Sequence, residues 1–133
     1  MTRKDFEALV SERYGVRADY PFEDDYTTGV FRHSDTGRWF ALAMCISERK
    51  LGRDGDARVD VVNMKCAPEV IRDIAGAEPG IYPAYHMNKI HWLTVLLSDC
   101  DEGTVEWLLG ISYELTDKRV KNNKNKTKDG KMK

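Results

Sequence analysis

Two imidazoles, an amide, an ammonium and three aromatic rings fall within residues 82–92, directly before the apolar run 93–97. Imidazoles can shuttle protons, ligate a metal or hydrogen-bond a ligand, and only their neighbours decide which. His86 and His91 are five apart, a spacing that puts them on neither one helix face nor one strand face. No Cys or carboxylate stands at a metal-ligand interval from either. No Gly-x-Ser-x-Gly string or recognisable His–Cys pair offers an activated nucleophile. The residues therefore point to non-enzymatic binding, with no metal, no cofactor and no catalytic group. Tyr85, His86, Asn88, Lys89 and Trp92 are candidate contacts, with His86 read as a hydrogen-bonded turn residue and His91 as a strand residue bonded to backbone.

Two further stretches could share that surface. In residues 58–65, Val59, Val61, Asn63 and Lys65 alternate with Asp60, Val62 and Met64, so Asn63 and Lys65 share one side of a strand. They stand beside a helix start at Pro68, where free amides and the macrodipole favour an anion. Asn63, Lys65, Asn88 and Lys89 would converge on a phosphate or carboxylate if the two strands are neighbours. The plainer alternative has Asn63 holding a turn and Lys65 solvated or paired with Glu69. The loop of residues 48–54 presents Arg49, Lys50 and Arg53, flanked by Arg58 and diluted by Glu48, Asp54 and Asp56. Arg38 and Trp39 open another strand. Trp39 and Trp92 would either stack a base, at about 1–3 kcal/mol, or pack at the rim. The acidic run Glu23-Asp24-Asp25 lacks calcium-loop spacing, and Cys66, with no resolving partner, reads as a buried thiol.

These groups need a scaffold. Thr2 can cap a helix over residues 2–14 that Gly15 ends. Residues 18–29 are acidic and turn-prone, a surface loop. Strands are expected at 30–33, 38–46 and 58–65, the first two joined by Ser34-Asp35-Thr36-Gly37. In the second, Phe40, Leu42, Met44 and Ile46 should share one face. Trp39, Ala41, Ala43 and Cys45 should share the other, where small residues leave room for a helix. Pro68 opens a short helix to about residue 75. Residues 81–97 read as two strands joined around 87–89. A last helix, begun near 98–101, turns Val105, Leu108, Leu109, Ser112 and Leu115 inward, widened by Trp107 and Ile111. The order α-β-β-β-α-β-β-α implies an α+β two-layer domain, an antiparallel sheet with helices packed on one face.

At 133 residues the chain can build one hydrophobic core and not two. Its longest apolar run, residues 39–46, is far short of the roughly 20 that span a bilayer, so no membrane partner is expected. Three widely spaced cysteines suggest reduced thiols and a cytoplasmic location. The net charge of −1 conceals a segregation. Residues 118–133 hold eight Lys or Arg against Asp129, a net +7, which leaves 13 bases and 21 acids in residues 1–117, a net −8. The tail is too polar to order itself. The acidic body lacks the bulk basic surface from which nucleic-acid binders draw most of their affinity.

The strings Phe31-Arg32-His33, Arg38-Trp39-Phe40-Ala41-Leu42, Asn63-Met64-Lys65-Cys66-Ala67-Pro68-Glu69 and Tyr85-His86-Met87-Asn88-Lys89-Ile90-His91-Trp92, in this order and spacing, resemble the MmcQ/YjbR family across residues 5–115. The resemblance implies a single domain over residues 1–117, related to frataxin-like and secretion-chaperone-like architectures. It also implies DNA binding through two wings, here the loops 48–54 and 85–92. No established activity comes with it. Three partners follow as expectations: DNA first, a protein or peptide second, and a small anion on Lys65 and Lys89 third, with the chain a monomer.

Overall fold

The computed structural model describes residues 1–117, and the tail expected to lack order lies outside the described residues. Helix α1, Arg3–Tyr14, begins with reciprocal capping. The Asp5 amide donates to the Thr2 hydroxyl at 3.1 Å, and the Thr2 amide to the Asp5 carboxylate at 2.9 Å. Two amides that a helix start leaves free are thereby satisfied. Five strands follow: β1 Gly29–Arg32, β2 Trp39–Ser47, β3 Arg58–Lys65, β4 Ile81–Pro83 and β5 Trp92–Leu96. Helix α2, Pro68–Ile74, lies between β3 and β4, and α3, Glu102–Leu115, closes the order. The sheet runs β1-β2-β3-β5-β4, with every neighbouring pair antiparallel. This is the α+β order expected from the sequence. Among the described residues no helix is long and apolar enough to cross a membrane.

The main core lies between the sheet and the helices. Phe31, Ala41, Ala43, Val62, Met64, Leu93 and Val95 meet Phe6 and Val10 of α1, Ile71 of α2, and Val105, Leu108 and Leu109 of α3. Truncating one such large side chain to Ala costs about 2–5 kcal/mol. Ser112 is the buried polar exception in the α3 stripe. Its hydroxyl donates to the Phe40 carbonyl at 2.6 Å and accepts from the Lys65 amide at 2.8 Å, pinning α3 to the ends of β2 and β3. Both backbone groups would otherwise be unpaired where the ladders stop.

Three expectations need correction. The β1–β2 ladder shifts register between Phe31 and Arg32, so Arg32 pairs with Trp39 and Phe40 stands opposite no residue. That bulge turns Phe40 to the helix side, against Phe31, His33, Tyr14 and Tyr113. Trp39 is carried to the opposite face. Second, Trp107 does not widen the buried stripe of α3; it is 51% exposed. Third, residues 84–91 form no tight hairpin tip, since β4 ends at Pro83 and β5 begins at Trp92.

The other sheet face carries Val30, Leu42, Met44, Ile46, Val61 and Leu96, and among the described residues no α-helix covers it. Partial cover comes from Leu51 in the 3-10 turn Glu48–Leu51 and from Tyr85 and Met87 in the β4–β5 connection.

Candidate functional site

Residues 84–91 lie over this open face because two buried side chains hold them there. Asn63 and Thr94 are direct partners across β3 and β5, and both are fully buried. The Tyr85 amide donates to the Thr94 hydroxyl at 2.8 Å, and the Asn63 amide group donates to the Tyr85 carbonyl at 2.8 Å. The Thr94 hydroxyl in turn donates to Asn63 Oδ1 at 2.5 Å, closing the network. At the far end Asn88 Oδ1 accepts from the amides of Ile90 at 2.8 Å and His91 at 3.1 Å. Between these anchors His86 adopts φ 62°, the only non-glycine residue at positive φ among those described. Histidine tolerates that region better than most residues, and its ring lies 3.9 Å from the Tyr85 ring.

A second loop walls the opposite side. Asp25 Oδ1 accepts from the Thr27 amide at 2.9 Å and the Thr27 hydroxyl at 2.6 Å, while Oδ2 accepts from the Thr28 hydroxyl. These donors, chiefly the Thr27 and Thr28 side chains, hold the Asp25 carboxyl down at about 2. They fix the turn that sets Phe22 edge-on to Trp39, ring centroids 6.1 Å apart. The Arg32 guanidinium stands 5.7 Å from the Trp39 ring centroid.

Between the loops runs an open groove of about 670 Å³. Its floor is Leu42, Met44 and Ile46, with Trp39 at one end and Ser47, Lys50 and Arg58 at the other; Phe22, Asp24, Asp25 and Thr28 form one side and Tyr85, His86 and Met87 the second. At about 3.3 Å per residue the floor strand spans roughly 26 Å. Apolar floor, two methionines and flanking aromatics suit an apolar side chain, and methionine adapts to many shapes.

Charge around the groove is unevenly available. Arg49 pairs with Asp56 at 2.7 Å; Arg53 pairs with Glu48 at 2.9 Å and Asp99 at 3.1 Å and donates to the Tyr82 hydroxyl at 3.2 Å. The Arg53 bonds, that to Tyr82 first, hold its guanidinium above its usual range. Pairs this exposed add about 0–1 kcal/mol, yet each offsets a cation locally. Arg58 donates to the Cys45 carbonyl at 2.7 Å, and Lys50 has no ion pair among the described residues. The Cys66 thiol is buried at the start of α2, and burial pushes its pKa up. That is the reverse of what a reactive thiolate needs. Among the described residues no three His, Cys, Asp or Glu side chains gather as metal ligands.

The family model for YjbR matches residues 11–115. The chain belongs to the YjbR family. A Bacillus subtilis relative, the uncharacterized protein YyaQ, is 38% identical over 117 residues, covering 87% of this chain and 98% of that one. A crystal structure of a Pseudomonas syringae protein is 42% identical, with TM-score 0.85, over 88% of this chain and 100% of the other. A Deinococcus radiodurans protein of 29% identity aligns at TM-score 0.67 over 88% of this chain and 79% of its own.

Within this YjbR domain the twelve residues singled out by sequence part company. Trp39, Lys50, Tyr85 and His86 come together on the groove. Asn63 sits beneath the loop with both side-chain termini bonded internally, and Asn88 braces the same loop from its far end. Burial and these bonds withhold Asn63 from a ligand, so the anion cluster expected of Asn63, Lys65, Asn88 and Lys89 loses that member. Lys65 and Trp92 are cross-strand partners, and Lys89 is exposed beyond the groove. Arg38 lies at the β1–β2 turn, and Arg49 and Arg53 are held by carboxylates. His91 lies outside the strand, its carbonyl accepting from the Cys66 amide at 2.9 Å. Sequence reasoning missed Phe22, Leu42, Met44, Ile46 and Met87 as groove residues. The available signal was the aromatic trio Tyr20, Phe22 and Tyr26 in an otherwise acidic loop.

Proposed function

We propose that this YjbR-family domain is a binding protein whose working surface is the groove on the open sheet face, occupied by a segment of another protein. The observation that carries this reading is a groove whose apolar floor, 6–8% exposed, is roofed by no α-helix among the described residues and is flanked by loops with exposed Phe22, Tyr26 and Ile90. Apolar side chains left in water at the rim of an apolar groove are what a protein partner covers. Strand addition at an edge is disfavoured on both sides. Asp19 already exchanges backbone bonds with Val30 of β1, and β4 is three residues long with Pro83 lacking a donor. A partner therefore lies across the face.

Nucleic acid, the partner the family resemblance names, draws support from Lys50 and Lys89, both exposed on the two loops. It has less support than the groove, because Arg49 and Arg53 are paired and residues 1–117 carry a net −8.

The test of the groove uses the full chain with 13C-methyl methionine and the apolar anion 8-anilinonaphthalene-1-sulfonate. The Met44 and Met87 methyl resonances shift on titration, while Met64, on the helix side, stays put. Shifts centred on Met64, or none at all, refute the reading. Duplex DNA binding that falls more than tenfold in a Lys50→Glu/Lys89→Glu chain at about 0.1 M salt would transfer the function to nucleic acid.

A further inference from the structure

We infer that the segment seated in the groove is an extended stretch with apolar side chains at alternate positions and an acidic side chain just beyond them, over Lys50 and Arg58. This rests on the protein-segment reading and adds its chemistry. Leu42, Met44 and Ile46 project from one strand at every second residue, so their side chains recur about every 6.6–7 Å. An extended peptide laid along them presents its own alternate side chains at the same repeat, whereas a helix presents a neighbour about every 5–6 Å in steps of three and four. With both sheet edges closed to strand addition, the peptide is held by side chains pressed onto the floor.

Charge gives the segment its polarity. At the Ser47 end of the floor stand Lys50, without an ion pair among the described residues, and Arg58, which donates to the uncharged Cys45 carbonyl. The nearby Arg49 and Arg53 are already matched by carboxylates. Along the β1 side Asp24 and Asp25 are both carboxylates, and the hydroxyls of Thr27 and Thr28 that bond Asp25 leave its charge in place, so an acid on the segment is repelled from that wall. An acid at the Lys50 end meets two cations, whereas the cation at the Trp39 end, Arg32, is already paired with Asp19 at 2.8 Å.

The test pans a phage-displayed random dodecapeptide library on the full-length chain and measures enriched peptides by fluorescence anisotropy. Enriched sequences share apolar residues two apart, followed or preceded within three positions by Asp or Glu. Affinity drops at least fivefold when Lys50→Glu is introduced or when the peptide acid becomes Lys, and the two changes together restore binding. Lys50 is exposed, so its replacement leaves the fold intact. Enrichment without the alternation, a drop smaller than fivefold, or no rescue by the paired swap overturns the inference. If no peptide is enriched above a control protein while the sulfonate dye still shifts Met44 and Met87, the groove stands as a binding surface but the extended acidic-apolar segment is overturned as its occupant. Failure of the dye as well removes the groove itself.

Discussion

Replacing Thr94 by Val keeps the shape of a buried side chain and deletes one hydroxyl. That hydroxyl accepts from the Tyr85 amide at 2.8 Å and donates to Asn63 Oδ1 at 2.5 Å, and its site is fully buried. Each net hydrogen bond is worth about 1 kcal/mol, and a donor or acceptor left unpaired in a buried site adds a desolvation penalty. The loss should total about 2–4 kcal/mol, a large share of the roughly 5–15 kcal/mol that holds a domain folded. With a urea slope of about 2 kcal/mol per molar, the midpoint moves down by about 1–2 M. Asn63→Leu removes the donor to the Tyr85 carbonyl and should cost a similar amount. Because the two changes delete one shared bond, the double variant should fall short of their sum by about 1 kcal/mol or more. The Tyr85 amide should also exchange faster with solvent in either single variant. A midpoint shift below about 0.3 M for Thr94→Val, or strict additivity in the double, would show that the network does not hold the loop.

Gly80 has φ 79°, and a Cβ there would sit 2.6 Å from the Cys100 backbone nitrogen; Gly80→Ala should therefore cost at least about 2 kcal/mol by thermal melting. Gly76→Ala, at φ 86° with nothing within 4 Å, should cost only about 1 kcal/mol. Burial lowers the His33 pKa from 6.5, against the raising fields of Asp117 and Asp35. As pH falls below 6.5 the unfolded chain therefore takes up a proton first, so stability present above that pH is lost toward the folded value. Melting temperature measured from pH 7.5 to 5.5 should fall in the native chain and flatten in His33→Gln. Asp25, held down at about 2, contributes stability above its ordinary value that disappears as pH drops through about 2, and Asp25→Asn should remove that component from an acid titration. A thiol reagent should modify the half-buried Cys45 well before Cys66 and Cys100, whose burial raises their pKa.

Local signals account for what the sequence made legible in the fold. Thr2 and Asp5 form the capping pair their spacing announces, and Pro68 starts α2 where its missing amide does no harm. Arg58–Lys65 is bounded as its alternation implies. The β1–β2 bulge left no such trace. Residues 39–46 are apolar at every position, so alternation assigns pairs to faces without saying which residue begins the count. The count is set by the turn instead, where the His33 amide meets the Arg38 carbonyl at 2.9 Å and the ladder then slips past Phe40. A slip of one residue put Trp39 on the groove and Phe40 in the main core.

The site was less legible for a related reason. Polar residues stand out in a sequence, but a polar residue at a sheet's centre is often there to satisfy backbone from another element. Asn63 and Asn88 looked like ligand contacts because they are amides near lysines, and both turned out to shape the loop that walls the groove. The floor itself, Leu42, Met44 and Ile46, reads as ordinary core until the helices are seen to lie on the other side. What leaves these residues, 6–8% exposed, beneath loops and not beneath a helix among the described elements is topology, a property that no single residue encodes. All three helices pack on one layer: α2 lies in the single crossover, from β3 to β4, while α1 precedes β1 and α3 follows β5. The second face is left to loops, and loops pinned by a buried Asn–Thr pair and an Asp–Thr turn can border a groove without filling it. The same bonds that stabilise residues 84–91 therefore set the width of the groove. Loosening them should weaken ligand capture as well as stability, even though neither Asn63 nor Thr94 lines the groove.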